Sequence, residues 1–195
     1  QFDNYEDNDN SNDLIEKEDL SNLVFVSEKI VNDALYFFIK NNNDVSIYGD
    51  ILISFYDAKG NLLKEETLYV KGILPNGELF VECYNYPSNF ASYKEFVEVE
   101  KLNSELSFDN IKFTDSDNGY EIVVSIKNIS SKTINSIDIG IVFYKNGEIV
   151  GLDYDTKYNL NSKKTSTSKF LYPYDFDNFE YIDFDNYEIV LLSLE

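Results

Sequence analysis

The sequence predicts an all-β protein made of two tandem β-sandwich domains, and three observations lead to that prediction. Short segments rich in β-branched and aromatic residues recur along the chain, turns containing glycine or proline separate them, and the second half repeats the order of the first. No long segment has a helical period. The 195 residues suit two domains of roughly 100 residues or fewer.

The strands are predicted from residue type and from a two-residue period. Residues 34–39 and 120–126 are rich in residues that favour strands. Residues 51–56 alternate, with one apolar face and one mixed face, as in a strand that is buried on one side only. Gly60 and Gly147 lie in the turns that follow, where a tight hairpin needs a positive φ.

An internal repeat relates the two halves of the chain. Five blocks of similar residues occur in the same order in both halves, at offsets of about 86 to 91 residues. A period of this length indicates duplication of a whole domain rather than a solenoid. We therefore expect domains at residues 21–103 and 104–195, with Phe55 and Phe143 in equivalent positions. The matched blocks begin at Leu35 and Ile122, Ile53 and Ile141, Leu74 and Leu160, Tyr84 and Phe170, and Tyr93 and Phe184.

Residues 1–20 are expected to form a disordered acidic leader. Its first part, QFDNYEDNDNSND, offers little apolar surface to offset the entropy of ordering. Such leaders resemble the tether that follows the lipidated cysteine of bacterial lipoproteins. That cysteine is not in this chain and would lie upstream of Gln1. The first residue is not Met, so we expect that an upstream segment has been removed, with a signal peptide as one explanation and a cloning boundary as the other.

The charge of the chain excludes several partners. Its formal net charge is −20, and every basic residue is lysine, because the chain has no arginine and no histidine. Such a surface repels a phosphate backbone and an anionic membrane, so we expect no nucleic acid and no direct membrane partner. Solubility explains the acidity, and a cationic partner or weak binding of divalent cations remains an alternative.

A short motif around each hairpin resembles a known family. Phe55-Tyr56-Asp57 with Gly60 in the first half, and Phe143-Tyr144 with Gly147 in the second, are similar to the FxLYD-type domains. The second copy has Lys145 where the motif has Asp. The resemblance implies two immunoglobulin-like β-sandwiches, a secreted or lipid-anchored bacterial setting, and no active site.

The residue types exclude the common catalytic arrangements. Without histidine there is no Ser-His-Asp triad and no imidazole metal site, and no nucleotide-binding glycine motif occurs. Cys83, the only cysteine, is expected to be a small buried residue rather than a reactive thiol. We predict no catalytic residue, no cofactor and no metal site. A pair of carboxylates acting on a polymer is the one enzymatic alternative.

The densest segment, YPYDFDNFEYIDFDNYE at residues 172–188, alternates aromatic and acidic residues. Asp175, Asp177, Asp183 and Asp185 are ligand types that suit Ca²⁺, but their spacing differs from that of an EF-hand. We expect the rings to close one end of a sandwich and the acids to face water, so no tight calcium site is predicted.

The remaining candidates are exposed tyrosines that form a platform for a sugar or a peptide. Tyr48, Tyr69, Tyr154 and Tyr158 are placed on strand faces or rims. The function predicted from the sequence is a non-catalytic extracellular binding or spacer protein of a bacterial cell surface, with another surface protein or wall polymer as partner. The alternative is a carboxylate-based enzyme that acts on such a polymer.

Overall fold

A computed structural model describes residues 20–103, 106–175 and 177–195, and it confirms the predicted all-β class. The predicted leader lies outside these residues except for Leu20, which is helical and half-buried against the first core. In the first half the strands are β1 Val24–Val31, β2 Ala34–Asn41, β3 Ile47–Tyr56, β4 Leu62–Ile73, β5 Glu78–Glu82 and β6 Ser92–Lys101. In the second half a 3₁₀ turn at Phe108–Asn110 precedes β7 Ile111–Asp117, β8 Glu121–Asn128, β9 Ile134–Lys145, β10 Glu148–Leu160, β11 Thr165–Leu171, β12 Tyr174–Asp175, β13 Glu180–Tyr181 and β14 Asn186–Leu194.

The strands of the described residues form four three-stranded sheets and one two-stranded ribbon. The first half has the sheets β1-β2-β5 and β4-β3-β6, and the second half has β7-β8-β11 and β10-β9-β14. Every pairing is antiparallel. The ribbon β12-β13 lies between β11 and β14, and the described part of the first half has no strand pair at the corresponding place.

The predicted hairpins form for the reasons that the turn residues suggest. Asn146 and Gly147 both have positive φ, 52° and 81°, as the two-residue turn between β9 and β10 requires. Gly60 has φ 83° and donates its N–H to the carbonyl of Asp57 at 3.0 Å. The Asp57 carboxylate also accepts the N–H groups of Lys59 and Asn61.

Each half has its own apolar core between its two sheets. Phe37 and Phe55 lie fully buried in the first core, 6.2 Å apart between ring centroids. Phe143 and Phe170 lie fully buried in the second. The alternation predicted for residues 51–56 therefore arises because one face of β3 contacts this core while the other remains partly exposed.

A fully buried asparagine ends the second strand of each half. Asn41 donates its amide to the carbonyl oxygens of Val45 and Leu74, and Asn128 donates to those of Lys132 and Leu160. Each side chain satisfies backbone carbonyls that would otherwise be buried without a partner.

The strand register corrects two of the five sequence matches. Leu35 and Ile122 occupy the same pairing position, but the residue opposite Ile122 is Phe170 and the residue opposite Leu35 is Cys83 rather than Tyr84. In the last block Phe55 lies opposite Tyr93, whereas Phe143 lies opposite Tyr187 rather than Phe184. The extra residues of the ribbon shift this match, since they lie just before β14. Phe184 packs on Phe143 as Phe90 packs on Phe55, with ring centroids 4.9 Å and 5.2 Å apart.

The two halves meet through the outer faces of two sheets, an interface that we call the seam. The ring of Phe80 on β5 is so close to Gly140 on β9 that a Cβ there would lie 2.7 Å from it. Val142 and Leu192 are buried against the first core cluster, although they belong to the second half. Consequently β9 is buried on both faces over most of its length, whereas β3 is buried on one.

Candidate functional site

In the part of the chain that the structure describes, three well-formed concave regions lie along the seam, and each is lined by residues from both halves. Two twisted sheets that meet face to face contact each other at the centre and diverge at the rims, which leaves such clefts. The largest has a volume of about 590 Å³. A smaller one of about 150 Å³ lies beside the buried centre of the seam at Phe80 and Leu192.

The largest region is defined by four tyrosines and one acid, and we call it the tyrosine cleft. The first half contributes Tyr36 from β2, and the second half contributes the other rings from the β11–β12 connection and the ribbon. The residues that define it are Tyr36, Asp153, Tyr172, Tyr174 and Tyr181.

The ribbon gives the tyrosine cleft its aromatic wall. Tyr174 and Tyr181 lie directly opposite each other in the ribbon, with ring centroids 5.3 Å apart and planes at 78°. Tyr172 and Tyr181 are also nearly perpendicular, at 6.4 Å and 85°. At these separations the rings contact one another edge to face and form a continuous aromatic wall.

Local chemistry holds the ribbon in place. Pro173 packs so closely on Gly151 that a Cβ at that glycine would lie 2.6 Å from the proline ring. Ile182 donates its N–H to the Pro173 carbonyl at 2.8 Å. The Asp175 carboxylate accepts the N–H groups of Asp177 and Asn178, which closes the turn between the two short strands.

Asp153 on β10 is the only charged side chain that lines the tyrosine cleft among the described residues. Its carboxylate accepts the N–H of Tyr154 at 2.8 Å. Desolvation by the surrounding protein raises the pKa of this carboxyl, the N–H opposes the rise, and Asp155 adds to it. The side chain is nevertheless exposed to solvent. Asp153 thus lies on the open wall of the tyrosine cleft.

The hydroxyl of Tyr36 links the tyrosine cleft to the smaller one. Burial raises the pKa of Tyr36, and the charge of Glu82 across a 3.5 Å contact adds to the rise. Tyr84, next to Glu82, has its pKa raised to about 12, first by desolvation and then by that carboxylate. Tyr154 also contributes to the rise at Tyr84, so tyrosines from both halves meet here.

Two of the four tyrosines predicted as a platform come together. Tyr69 and Tyr154 both line the smaller cleft. Tyr48 lies instead on the outer face of β3, where its hydroxyl donates to Glu100 at 2.8 Å, and Tyr158 lies farther along β10. Sequence reasoning missed Tyr36 and the ribbon tyrosines as binding residues. The YPY sequence at residues 172–174 was the available signal, because two aromatic residues flank a proline there.

The expectation that the rings of residues 172–188 close one end of a sandwich holds for some of these rings and not for others. Phe184 packs edge-on against Phe143 at 4.9 Å, as expected for a ring that closes the end of a sandwich. Phe179 is 80% exposed, so the expectation is wrong for that ring, and Phe176 lies outside the described residues. Asp183 pairs with Lys145 at 3.1 Å, and Asp185 accepts the backbone N–H of Asn146, so each of these two carboxylates has its own partner within the protein.

Cys83 is buried just beyond the end of β5. Desolvation raises the pKa of its thiol, and the nearby charge of Glu66 adds to this effect, so the thiolate is disfavoured. This environment suits the expected small buried residue.

Comparison with known protein families gives no match for the chain, and neither does comparison with curated proteins. Over the described ranges, no helix has the length and apolar character of a membrane span. The same ranges hold no group of three or more potential metal-ligating side chains, and the expected lack of a tight calcium site remains a prediction.

Proposed function

We propose that the protein is a non-catalytic binding protein of a bacterial cell surface whose ligand occupies the tyrosine cleft. The observation that carries this proposal is that the largest of the three clefts described along the seam combines four tyrosines with one partly desolvated carboxyl. Apolar walls with few polar groups are typical of ligand sites. The extracellular location rests on the leader composition and on the FxLYD-type resemblance.

We further propose that the two halves are duplicated immunoglobulin-like sandwiches. In each half the first, second and fifth strands share one sheet, and the third strand pairs with the last in the other. Strands A, B and E separate from C and F in the same way in immunoglobulin domains. The buried asparagines support common ancestry, and so does a Tyr-to-acid hydrogen bond between sheets, from Tyr93 to Glu28 and from Tyr187 to Asp115.

The cleft chemistry favours binding over catalysis. Carboxylate-based cleavage of a polymer needs two acids that flank the bond, and Asp153 is the only acid among the residues lining the tyrosine cleft. The other alternative, a pure spacer, does not explain the ribbon. The ribbon contributes an aromatic wall to the cleft and no described residue to either core cluster.

A ligand screen with a blocked cleft tests the proposal. Saturation-transfer NMR with a panel of wall saccharides, peptides and organic amines is run on the wild type and on Ala34→Trp, which fills the cleft from β2. Ser54→Trp, on the outer face of β3, is the matched control. We expect a ligand class whose signal is lost only in Ala34→Trp. If no panel member distinguishes the two variants, the spacer alternative is favoured. Cleavage of a polymer that disappears in Asp153→Asn would favour the enzyme.

A further inference from the structure

We infer that the tyrosine cleft recognises a quaternary ammonium group, an inference that rests on the binding function proposed above. A cation on a ring face is attracted by the negative face of the π-system, and tyrosine faces serve this purpose well. The rings of Tyr172, Tyr174 and Tyr181 pack edge to face as one aromatic wall. Tyr181 remains 59% exposed, so this wall offers a ring face on which a compact cation can lie.

The charge of the cleft has the sign that this ligand needs. Asp153 is its only charged lining residue, and Lys157 on the same strand pairs with Asp155 at 2.5 Å rather than with Asp153. The cleft therefore carries a carboxylate without a lysine partner among the described residues. The pKa of this carboxyl is raised because its charged form is poorly solvated, and a bound cation would relieve that penalty.

The tyrosine hydroxyls strengthen the case for ring faces over hydrogen bonding. The hydroxyl of Tyr172 donates to Asp117, and that of Tyr36 makes a long contact with Glu82. Donation to a carboxylate increases the electron density of the ring, which strengthens its attraction for a cation. The amide of Asn32 is also engaged, since it donates to the Val150 carbonyl at 3.0 Å.

The polar groups that the tyrosine cleft offers favour a quaternary ammonium over other ligands. A saccharide needs several hydrogen-bonding partners, and most polar groups at the tyrosine cleft are already used. A primary ammonium is strongly hydrated and needs acceptors for three donors, whereas the cleft offers one carboxylate. An anion would be repelled by Asp153 and by the net charge of −20, which also increases the local concentration of cations.

Calorimetric titration with choline and with its neutral carbon isostere dimethylbutanol tests the inference. The two probes have nearly the same shape, so the difference between their affinities measures the contribution of the positive charge. We expect choline to bind about tenfold more tightly than the isostere, a ratio typical of a partly desolvated cation–π site. Equal affinity would overturn the inference, yet it would leave a ligand site in the cleft and therefore the proposed function.

Variants then assign the effect to named side chains. Asp153→Asn removes the charge without changing shape, and Tyr181→Leu keeps an apolar side chain but removes the ring face. Each is expected to weaken choline binding about tenfold. Glu66→Gln is the matched control, because Glu66 pairs in register with Ile53 as Asp153 pairs with Ile141, and it is already bound by Lys64 at 2.5 Å. An equal loss in this control would attribute binding to overall charge and refute the site.

Two further probes define the ligand class. Acetyl-lysine amide with a free side-chain ammonium should bind more weakly than choline, and tighter binding would overturn the quaternary assignment in favour of a lysine side chain. Cosedimentation with phosphatidylcholine vesicles would identify a lipid headgroup as the carrier. Choline binding without cosedimentation would identify a soluble or polymer-bound amine. Absence of binding by every probe would overturn the inference, while the panel screen decides the proposed function separately.

Discussion

Replacing Gly140 by alanine should weaken the seam. An added Cβ would lie 2.7 Å and 2.8 Å from two ring carbons of Phe80 and 3.0 Å from a methyl of Leu192. All three atoms belong to side chains that are buried, so the ring has little room to withdraw. Overpacking of this kind costs about 1–3 kcal/mol, which is a large share of a stability of about 5–15 kcal/mol.

A double-mutant cycle tests this reasoning. Phe80→Leu shortens the side chain that the new methyl would meet, so Gly140→Ala should cost much less in the Phe80→Leu background. We expect a coupling of about 1 kcal/mol or more in the free energy of unfolding, measured by urea denaturation followed by circular dichroism. If the two single effects add, or if Gly140→Ala alone is neutral, Phe80 and Gly140 do not contact each other as described.

Three other predictions follow from individual residues. Asn128→Leu should lower the free energy of unfolding by about 2–3 kcal/mol in the same urea assay, because it leaves buried carbonyl oxygens without donors; a loss near zero would show that the amide is dispensable. The pKa values of Tyr84 and Tyr187 are raised to about 12 in the folded protein, whereas tyrosine in the unfolded chain ionises near pH 10. The free energy of unfolding, measured by urea denaturation at a series of pH values, should therefore be highest below about pH 10 and fall as the pH rises towards 12. A flat profile would contradict the raised pKa values. Calorimetry with Ca²⁺ should show only weak, salt-sensitive heats, and a micromolar event abolished by Asp177→Asn or Asp185→Asn would refute the packing interpretation.

The strands and hairpins were predictable because their signals are local. Period-two alternation identified β3, and Gly60 and Gly147 identified the hairpins that follow β3 and β9. The match at Tyr93 failed by three residues because the ribbon inserts length just before β14, and similar aromatic residues at Phe184 and Tyr187 compete for the alignment.

The seam and its clefts were not predictable, because they join residues far apart in sequence. One signal was nevertheless present. If Ile53 matches Ile141, Gly140 in β9 corresponds to Leu52 in β3. The residues around Gly140 form a more continuous apolar run than the residues around Leu52. A strand buried on both faces produces such a run. No pattern in the sequence placed Asp153 beside Tyr36, since β2 and β10 come together only through the docking of the two halves.

The central claim is that the two docked halves form one binding site in the tyrosine cleft. The most direct measurement is chemical-shift mapping of backbone amides during titration of ¹⁵N-labelled protein with choline. We expect saturable shifts that cluster at residues 36, 153–154 and 172–181, with little change at Glu66. Small, unsaturated shifts spread over the acidic surface would contradict the claim and leave only general attraction between opposite charges.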